Sequence, residues 1–281
     1  MKALVIGNGE SRSWFDPSKN NIGLDEVKTW GCNAIYRDGV VDNLVAADYA
    51  IQQEIIKSKY PLENKCWFTN WKTVPDFVAD TMFMGYDIPD SFIHYSGNKT
   101  DKCAISGKDP ASLSEKIATA MHMNPDLDVE DLRMKMEKDS GVWITYVTGE
   151  EKVCSVGDYL GGWSTGNTAL HLACDPPVHE TLGRFPIKPK EVYMIGYDLS
   201  SYEKPLNNLY KGTDNYLPAN AKGFSSVNWG KQLKAIFNEF SDTTFYWVDS
   251  TEEGKTFADV FNKKNVLYIT KDELCEELKI T

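Results

Sequence analysis

The sequence predicts an α/β protein of three layers (α/β/α), in which a doubly wound, mostly parallel sheet lies between helices. Two observations lead to this prediction. Short apolar runs rich in β-branched and aromatic residues recur along the chain, as in strands that are buried on both faces. Segments with helical periodicity separate these runs, and such alternation is typical of right-handed strand–helix–strand crossovers. A chain of 281 residues is long enough for one large domain of this kind or for two small ones.

The elements follow in chain order. The predicted strands are Ala3–Ile6, Trp30–Tyr36, Leu44–Ala47, Cys66–Thr69, Val142–Val147, Val192–Ile195, Thr244–Val248 and Val266–Ile269. The predicted helices are Tyr49–Lys57, Ser112–His122, Val129–Lys138, Gly166–Cys174, Trp229–Phe240 and Lys271–Leu278. The pattern is weakest over residues 73–158, which we interpret as an insertion or lid within a single domain of residues 1–281. Residues 200–227 also lack periodicity, and their aromatic side chains favour an active-site loop over a plain connection.

Composition narrows the function classes. The net charge is -11 and the isoelectric point is near 4.9, so the chain has no global basic field that would capture nucleic acid non-specifically. A local strip of lysines would still be compatible with this average. Six scattered cysteines without a C-x-x-C pair argue against a zinc site and against a disulfide framework. No apolar run approaches the length of a membrane span, and we expect a cytoplasmic location.

In open α/β sheets, ligands bind at the carboxyl ends of the strands, so the residues after each strand are the candidate site. The first strand is followed by a turn that contains Gly7, Asn8, Gly9, Glu10, Ser11 and Arg12. Arg12 stands where a dinucleotide fingerprint has its third glycine, and no Gly-Lys-Ser/Thr of a P-loop follows. The turn is therefore either structural or a backbone-lined cradle for an anion, to which Ser11 and Arg12 would add donors.

Other strand ends and one helix start add polar groups to the same edge. Ser164, Thr165, Gly166 and Asn167 open an apolar helix, where they cap it and where its free amides suit a phosphate or carboxylate. Asp48 and Asp198 each follow a strand. Each is interpreted either as a solvated aspartate of a turn or as a carboxylate of the site. Asn33 lies among apolar neighbours, so its amide needs partners from the backbone or from a ligand.

The order of these motifs resembles the bacterial sialyltransferase-like family of glycosyltransferases, which has a Rossmann-like sheet and uses CMP-sugar donors. The resemblance rests on GNGxS after the first strand, Cys-Asn after the second, Ser-Thr-Gly at a helix start and Gly-x-Asp after a later strand. The same skeleton is similar to the pterin diphosphokinase group. A weaker similarity, carried by GNGESR, GCNAIYRD and STGNTALHLAC, links the chain to DNA-modifying sugar (arabinosyl) transferases of T4-like phages.

The resemblance implies roles for individual residues. It places Asn8, Gly9 and Ser11 at the donor phosphate, Asn33 at the sugar or ribose, Asp198 near the ribose or base, and Ser164 to Gly166 at the nucleotide. Tyr202 and Tyr210 become candidates for tyrosines that assist departure of the leaving group. The chain departs from the family at Glu10, where the family usually has proline, and it has no histidine after His179.

The leading hypothesis is a glycosyltransferase that uses a UDP- or CMP-sugar and needs no metal. Asp48 or Glu10 would act as base toward an acceptor hydroxyl, either on a glycan or on hydroxymethylcytosine in phage DNA, in which case the location would be the host cytoplasm. The alternative is an ATP- and Mg²⁺-dependent diphosphokinase-like enzyme in which Asp48 and Asp198 bind the metal. A third hypothesis is a non-catalytic nucleotide-binding protein.

Overall fold

The computed structural model describes residues 1–24, 26–74, 103–106, 116–117, 119–120, 122–124, 128, 131–132, 135–136, 143–146, 151–175, 188–199, 204–248 and 262–281. The chain divides into two compact units. The first unit consists of Met1–Val45 and Gly162–Thr281, and the second unit is Ala46–Gly161. Each unit is described by itself below.

The described strands are β1 (Lys2–Ile6), β2 (Val27–Cys32), β3 (Asn43–Ala46), β4 (Cys66–Phe68), β5 (Trp71–Val74), β6 (Cys103–Ser106), β7 (Trp143–Tyr146), β8 (Val153–Ser155), β9 (Glu191–Ile195), β10 (Thr244–Val248) and β11 (Val266–Ile269). The described α-helices are α1 (Tyr49–Lys57), α2 (Tyr60–Glu63), α3 (Thr165–Cys174), α4 (Val227–Glu239) and α5 (Lys271–Leu278). Short 3-10 helices cover Glu10–Arg12, Asn33–Arg37 and Asp158–Leu160.

In the first unit, six parallel strands lie in the order β11-β10-β9-β1-β2-β3. The central strand β1 is buried from Ala3 onward, as expected for a strand covered on both faces. Helix α3 packs against β1 and β2, and its side chains are nearly all buried. This arrangement confirms the predicted fold class, a doubly wound and mostly parallel α/β fold.

The strand order reverses between β1 and β9. From β1 the chain proceeds outward through β2 and β3, and after β9 it proceeds outward on the other side through β10 and β11. The register pairs Ile6 with Ile195, so both strands end at the same level. Connections that leave two neighbouring strands toward opposite sides open a crevice, and ligands of such folds bind there. The turns after β1 and β9 therefore mark the first place to look for a site.

The second unit combines a parallel pair with an antiparallel sheet. Strand β4 pairs with β8 in parallel, and β5, β6 and β7 form a three-stranded antiparallel sheet. The predicted strand Val142–Val147 is thus present as β7, but it does not belong to the parallel set. Most of the predicted lid, residues 73–158, lies outside the described residues. Within the two predicted lid helices, the described residues 116–117, 119–120, 122, 131–132 and 135–136 are helical, and residue 123, just after the first of them, is helical as well.

The prediction of one strand over Trp30–Tyr36 is wrong in its second half. Strand β2 ends at Cys32, and a 3-10 helix begins at Asn33. Asn33 adopts φ 48°, in the left-handed region that asparagine tolerates better than most residues, and this conformation ends the strand. The apolar run continues because Ala34 and Ile35 stay buried in the helix, so hydrophobicity alone did not reveal the end of the strand.

Candidate functional site

The glycines of the turn after β1 are required by its close approach to β9. The amide of Gly7 donates to the carbonyl of Ile195 at 2.8 Å, and the amide of Gly9 donates to the carbonyl of Gly196 at 3.0 Å. A Cβ atom on Gly7 would lie 2.4 Å from the Gly196 oxygen, and one on Gly9 would lie 2.5 Å from Asp198 Oδ2. Both contacts are too short for any side chain, so packing by itself explains these two glycines.

Asp198 is bound to the same turn. The Ser11 amide donates to Asp198 Oδ2 at 2.9 Å, and the Ser11 hydroxyl donates to Asp198 Oδ1. The carboxylate thus fixes the start of the short helix Glu10–Arg12 to the end of β9. The sequence predicted that the residues after these two strands would lie at one edge of the sheet, and the structure shows that Ser11 and Asp198 are in direct contact there.

Arg12 is a buried structural cation with only 1% of its surface exposed. Its Nε donates to the Gly7 carbonyl at 2.5 Å, and its terminal nitrogens donate to the Phe15 carbonyl at 3.2 Å and to the Tyr210 hydroxyl at 2.9 Å. One of these nitrogens also lies 3.7 Å from Asp38 Oδ2. The guanidinium group therefore holds the turn against the loop that carries Tyr210.

Tyr210 completes this buried cluster. Its hydroxyl donates to Asp38 while it accepts from Arg12. Burial raises the pKa of the Tyr210 phenol well above its ordinary value, although the Arg12 charge acts in the opposite direction. The phenol stays protonated near neutral pH and is bonded within the protein. Tyr202, the other tyrosine predicted to assist the leaving group, lies outside the described residues.

Glu10 is paired with a lysine from the loop between β9 and α4. Its carboxylate lies 2.5 Å from Lys211 Nζ, and its amide donates to Asn207 Oδ1 at 2.8 Å. Together with the bond from the Leu209 amide to the Asn8 carbonyl, these contacts fasten residues 207–211 onto the turn. Glu10 is thus partly exposed and has a protein partner in Lys211.

Asn8 is the residue of this turn with an unused hydrogen-bonding atom. Its Nδ2 donates to the Tyr216 hydroxyl at 3.4 Å, whereas its Oδ1 is buried and has no partner. Buried polar atoms in proteins are nearly always paired with protein, water or ligand. Asn8 therefore has one acceptor for a group that is not part of the chain, beside the reversal of strand order.

Tyr216 joins the ends of two strands and was not predicted as a site residue. Its hydroxyl accepts from Asn8, which follows β1, and from the Ala34 amide at 3.3 Å, which follows β2. Its ring lies 5.8 Å from the Arg37 guanidinium carbon, and Arg37 donates to the Thr213 hydroxyl at 2.8 Å. Asn33 is 8% exposed and precedes Ala34 directly. The tyrosines of this loop were the only sequence signal, and nothing ranked Tyr216 above the others.

The N-terminal end of α3 is capped and bound to two neighbours. Ser164 accepts from the Asn167 amide at 3.4 Å, which confirms the predicted cap, and Asn167 donates through Nδ2 to Gln232 Oε1 at 2.9 Å. The Tyr197 hydroxyl donates to the Gly166 carbonyl at 2.5 Å, so the end of β9 is attached to the first turn of α3. Thr165 is buried beside them. The structure thus places a helix N-terminus next to the strands that bound the crevice.

Asp48, the predicted base, belongs to the second unit. It is exposed and stands at the N-cap of α1, where its side chain makes no capping hydrogen bond.

Among the described residues, no group of three or more histidine, cysteine, aspartate or glutamate side chains could hold a metal ion. In the same part of the chain, no helix is long and apolar enough to cross a membrane.

Comparison of the chain with protein-family models, with curated proteins and with solved structures finds no match. The geometry of the turns, the loop and the helix start is therefore the basis for the functional proposal.

Proposed function

We propose that this chain is a nucleotide-sugar-dependent glycosyltransferase whose first unit binds the donor at the crevice between β1 and β9. The observation that carries the proposal is the buried, unpartnered Asn8 Oδ1 at the reversal of strand order. Folds of this class bind nucleotides at that point, and an orphan acceptor there fits a hydroxyl or amino group of a nucleoside.

The N-terminal end of α3 supports a phosphate-bearing donor. The amides of a first helical turn point along the axis and carry the positive end of the helix dipole, so they favour an anion. The bonds of Tyr197 to Gly166 and of Gln232 to Ser164 and Asn167 fix this end in place without adding negative charge. A preorganised group of donors can stabilise the charge that develops on a leaving nucleotide phosphate.

The structure alters which residues we assign to each role. Donor contacts are proposed for Asn8, Asn33, Thr165 and Gly166, while Arg12, Ser11 and Asp198 shape the crevice through their bonds to each other and to the turn. For the base toward the acceptor hydroxyl we retain Glu10, the candidate carboxylate that belongs to the same unit as the crevice. The acceptor hydroxyl in this proposal belongs to a glycan or to modified DNA.

The test is calorimetric titration of the protein with UDP-, CMP- and GDP-sugars. At least one donor is expected to bind, and Asn8→Ala is expected to weaken that donor about tenfold, which corresponds to about 1.4 kcal/mol for a lost hydrogen bond. The matched control is Asn21→Ala, because Asn21 is exposed in the same unit and uses its backbone to bond Thr281.

Silence across the whole panel would overturn the proposal. Nucleotide binding that disappears in EDTA would instead support the ATP- and Mg²⁺-dependent alternative. Equal donor affinity in Asn8→Ala and in the control would place the donor elsewhere on the protein.

A further inference from the structure

The start of α4 in the first unit exposes large apolar side chains to solvent. Phe224 has 52% of its surface exposed, and its ring centroid lies 6.4 Å from that of Trp229. Val227, the first residue of α4, is 61% exposed. Single exposed apolar residues are ordinary on proteins, but an exposed ring next to a second ring and an exposed valine forms a patch.

Two exposed lysines lie beside this patch on the loop before α4. Lys222 precedes Phe224 by two residues. Lys204 is held next to it, because the Gly223 amide donates to the Lys204 carbonyl at 2.9 Å. The loop thus brings two positive charges to the aromatic side chain from positions that are 18 residues apart in the chain.

The exposed face of α4 continues the patch with two more lysines. Lys231 and Lys234 follow Val227 by four and seven residues, so the three positions share one face of the helix, and all three are exposed. We call the whole area the basic aromatic surface, and it consists of Lys204, Lys222, Phe224, Val227, Lys231 and Lys234.

The protein does not neutralise the charge of the basic aromatic surface. Residues 204–239 carry five lysines but only one aspartate and one glutamate, in a chain whose net charge is -11. Lys211 is paired with Glu10, and Glu239 lies 3.3 Å from the His171 ring at the other end of α4. Within the described part of the chain, the four lysines of the surface have no carboxylate partner. Because salt screens charges beyond about 10 Å, these lysines determine the local field.

The basic aromatic surface adjoins the elements that hold the proposed donor. The Trp229 carbonyl accepts from Asn167 Nδ2 at 3.1 Å, and Asn167 lies in the first turn of α3. The loop that carries Lys204 and Lys222 also contains residues 207–211, which are bonded to the turn after β1. A molecule on this surface therefore lies beside the crevice.

We infer that the basic aromatic surface binds a single-stranded nucleic acid. Protein sites for such strands combine lysines along the phosphates with aromatic rings on which the bases stack. The lysines contact phosphates, and Phe224 stacks on a base. An acidic protein segment would match the charge without requiring an exposed ring, and a neutral glycan would match the ring without requiring the charge. The assignment of this strand as the sugar acceptor rests on the proposed function, whereas the binding itself does not.

The test is fluorescence anisotropy of the intact protein with a short, fluorescein-labelled oligothymidine. Binding is expected at low salt. Four phosphate contacts on a single strand give a slope of about -2.8 in a plot of log affinity against log salt, so the affinity is expected to fall about 50-fold between about 50 and about 200 mM salt.

The double substitution Lys231→Gln/Lys234→Gln removes two of these contacts. It is expected to weaken binding about tenfold at low salt and to lower the magnitude of the slope by about 1.4. The matched control is Lys190→Gln/Lys264→Gln, which removes the same charge from exposed lysines that precede β9 and β11, at the opposite end of the sheet. The control is expected to bind as the wild type does.

Substitutions of Phe224 test the stacking separately from the charge. Phe224→Ala is expected to weaken binding about tenfold, and Phe224→Trp, which keeps an aromatic ring, is expected to retain it. Thermal unfolding shows whether Phe224→Ala still folds. The lysine variants and Phe224→Trp decide the question if it does not.

No binding of the oligonucleotide at low salt would overturn the inference, as would equal affinities of the Lys231/Lys234 variant and its control. Competition by polyglutamate together with unchanged affinity in Phe224→Ala would overturn it in favour of an acidic protein segment. Oligonucleotide binding without binding of any nucleotide sugar would remove the proposed function and leave the surface in place. Donor binding that depends on Asn8, without oligonucleotide binding, would remove the surface alone.

Discussion

The turn after β1 and the start of α1 after β3 both bring an amide side chain to the carboxyl end of a parallel strand. Asn8 reaches its position in a tight turn that is bonded to β9 and to residues 207–216. Gln52 reaches its position from a regular helix and is held by two backbone carbonyls. Each keeps one buried oxygen without a partner. Two unlike local structures thus each leave one buried amide oxygen unpaired.

The charged residues around the first of these turns behave differently. Arg12 is surrounded by acceptors, Glu10 is paired with Lys211, and Asp198 is bonded to Ser11. Their hydrogen-bonding capacity is used to hold the turn, whereas Asn8 in the same turn keeps one oxygen unpaired. In this turn the charged side chains therefore form the scaffold, and the unpaired oxygen of Asn8 is the reason why we propose the donor site there.

The largest destabilisation of the turn after β1 is expected when the Arg12 charge is removed. Arg12→Met would leave the Gly7 and Phe15 carbonyls and the Tyr210 hydroxyl without their buried donor, and we expect a loss of about 3–5 kcal/mol in the free energy of unfolding. Denaturant titration measures it. Arg12→Lys, the control that keeps the charge but not the planar set of donors, is expected to recover only part of the loss. A loss of less than about 1 kcal/mol in Arg12→Met would contradict a structural role, since that is the value of an exposed pair.

A smaller loss in the free energy of unfolding is expected from Gly9→Ala, which adds one methyl group to the turn. The new Cβ would lie 2.5 Å from the Asp198 carboxylate and 2.7 Å from the Gly196 oxygen, so the turn and the end of β9 must separate. Such overpacking costs about 1–3 kcal/mol. Gly230→Ala in α4 is the matched control, because nothing lies within 4 Å of its added Cβ, and it is expected to stabilise the helix by about 0.5–1 kcal/mol. Thermal unfolding of both variants measures the two effects. Equal changes of the unfolding temperature would show that the contact between the turn and the end of β9 can adjust without cost.

Much of the fold was predictable because buried parallel strands leave a strong signal. The runs at Ala3–Ile6, Thr244–Val248 and Val266–Ile269 are strands, and Tyr49–Lys57 is a helix with those bounds. The end of β2 was missed because the backbone changes to a left-handed conformation at Asn33, in the middle of an apolar run. The antiparallel pairing of β7 was missed because a four-residue strand does not reveal the direction of its neighbour.

The site was predictable only in part. The sequence predicted the turn, the cap at Ser164 and the placement of Ser11 and Asp198 at one edge of the sheet, since the carboxyl ends of parallel strands lie at the same edge. It could not show that Arg12 is buried, because the residues that bury it are about 200 positions away in the chain, at Tyr210. It gave no reason to expect that Gln52 is buried within α1, since a glutamine in a helix is more often exposed.

The smallest expected change in the free energy of unfolding is that of Glu10→Gln. The same substitution tests whether Glu10 holds the loop on the turn or acts as the base. The pair with Lys211 is partly exposed, with 44% of the Glu10 side chain accessible, so Glu10→Gln is expected to cost less than about 1 kcal/mol. A double-mutant cycle with Lys211→Met measures the coupling, which is expected to fall as salt is added. Zero coupling at low salt would contradict the pair. The turnover and the donor affinity of Glu10→Gln are then compared. A loss of turnover with unchanged donor affinity would make Glu10 the base. A loss of turnover together with a loss of donor affinity would show that Glu10 acts by holding residues 207–211 on the turn.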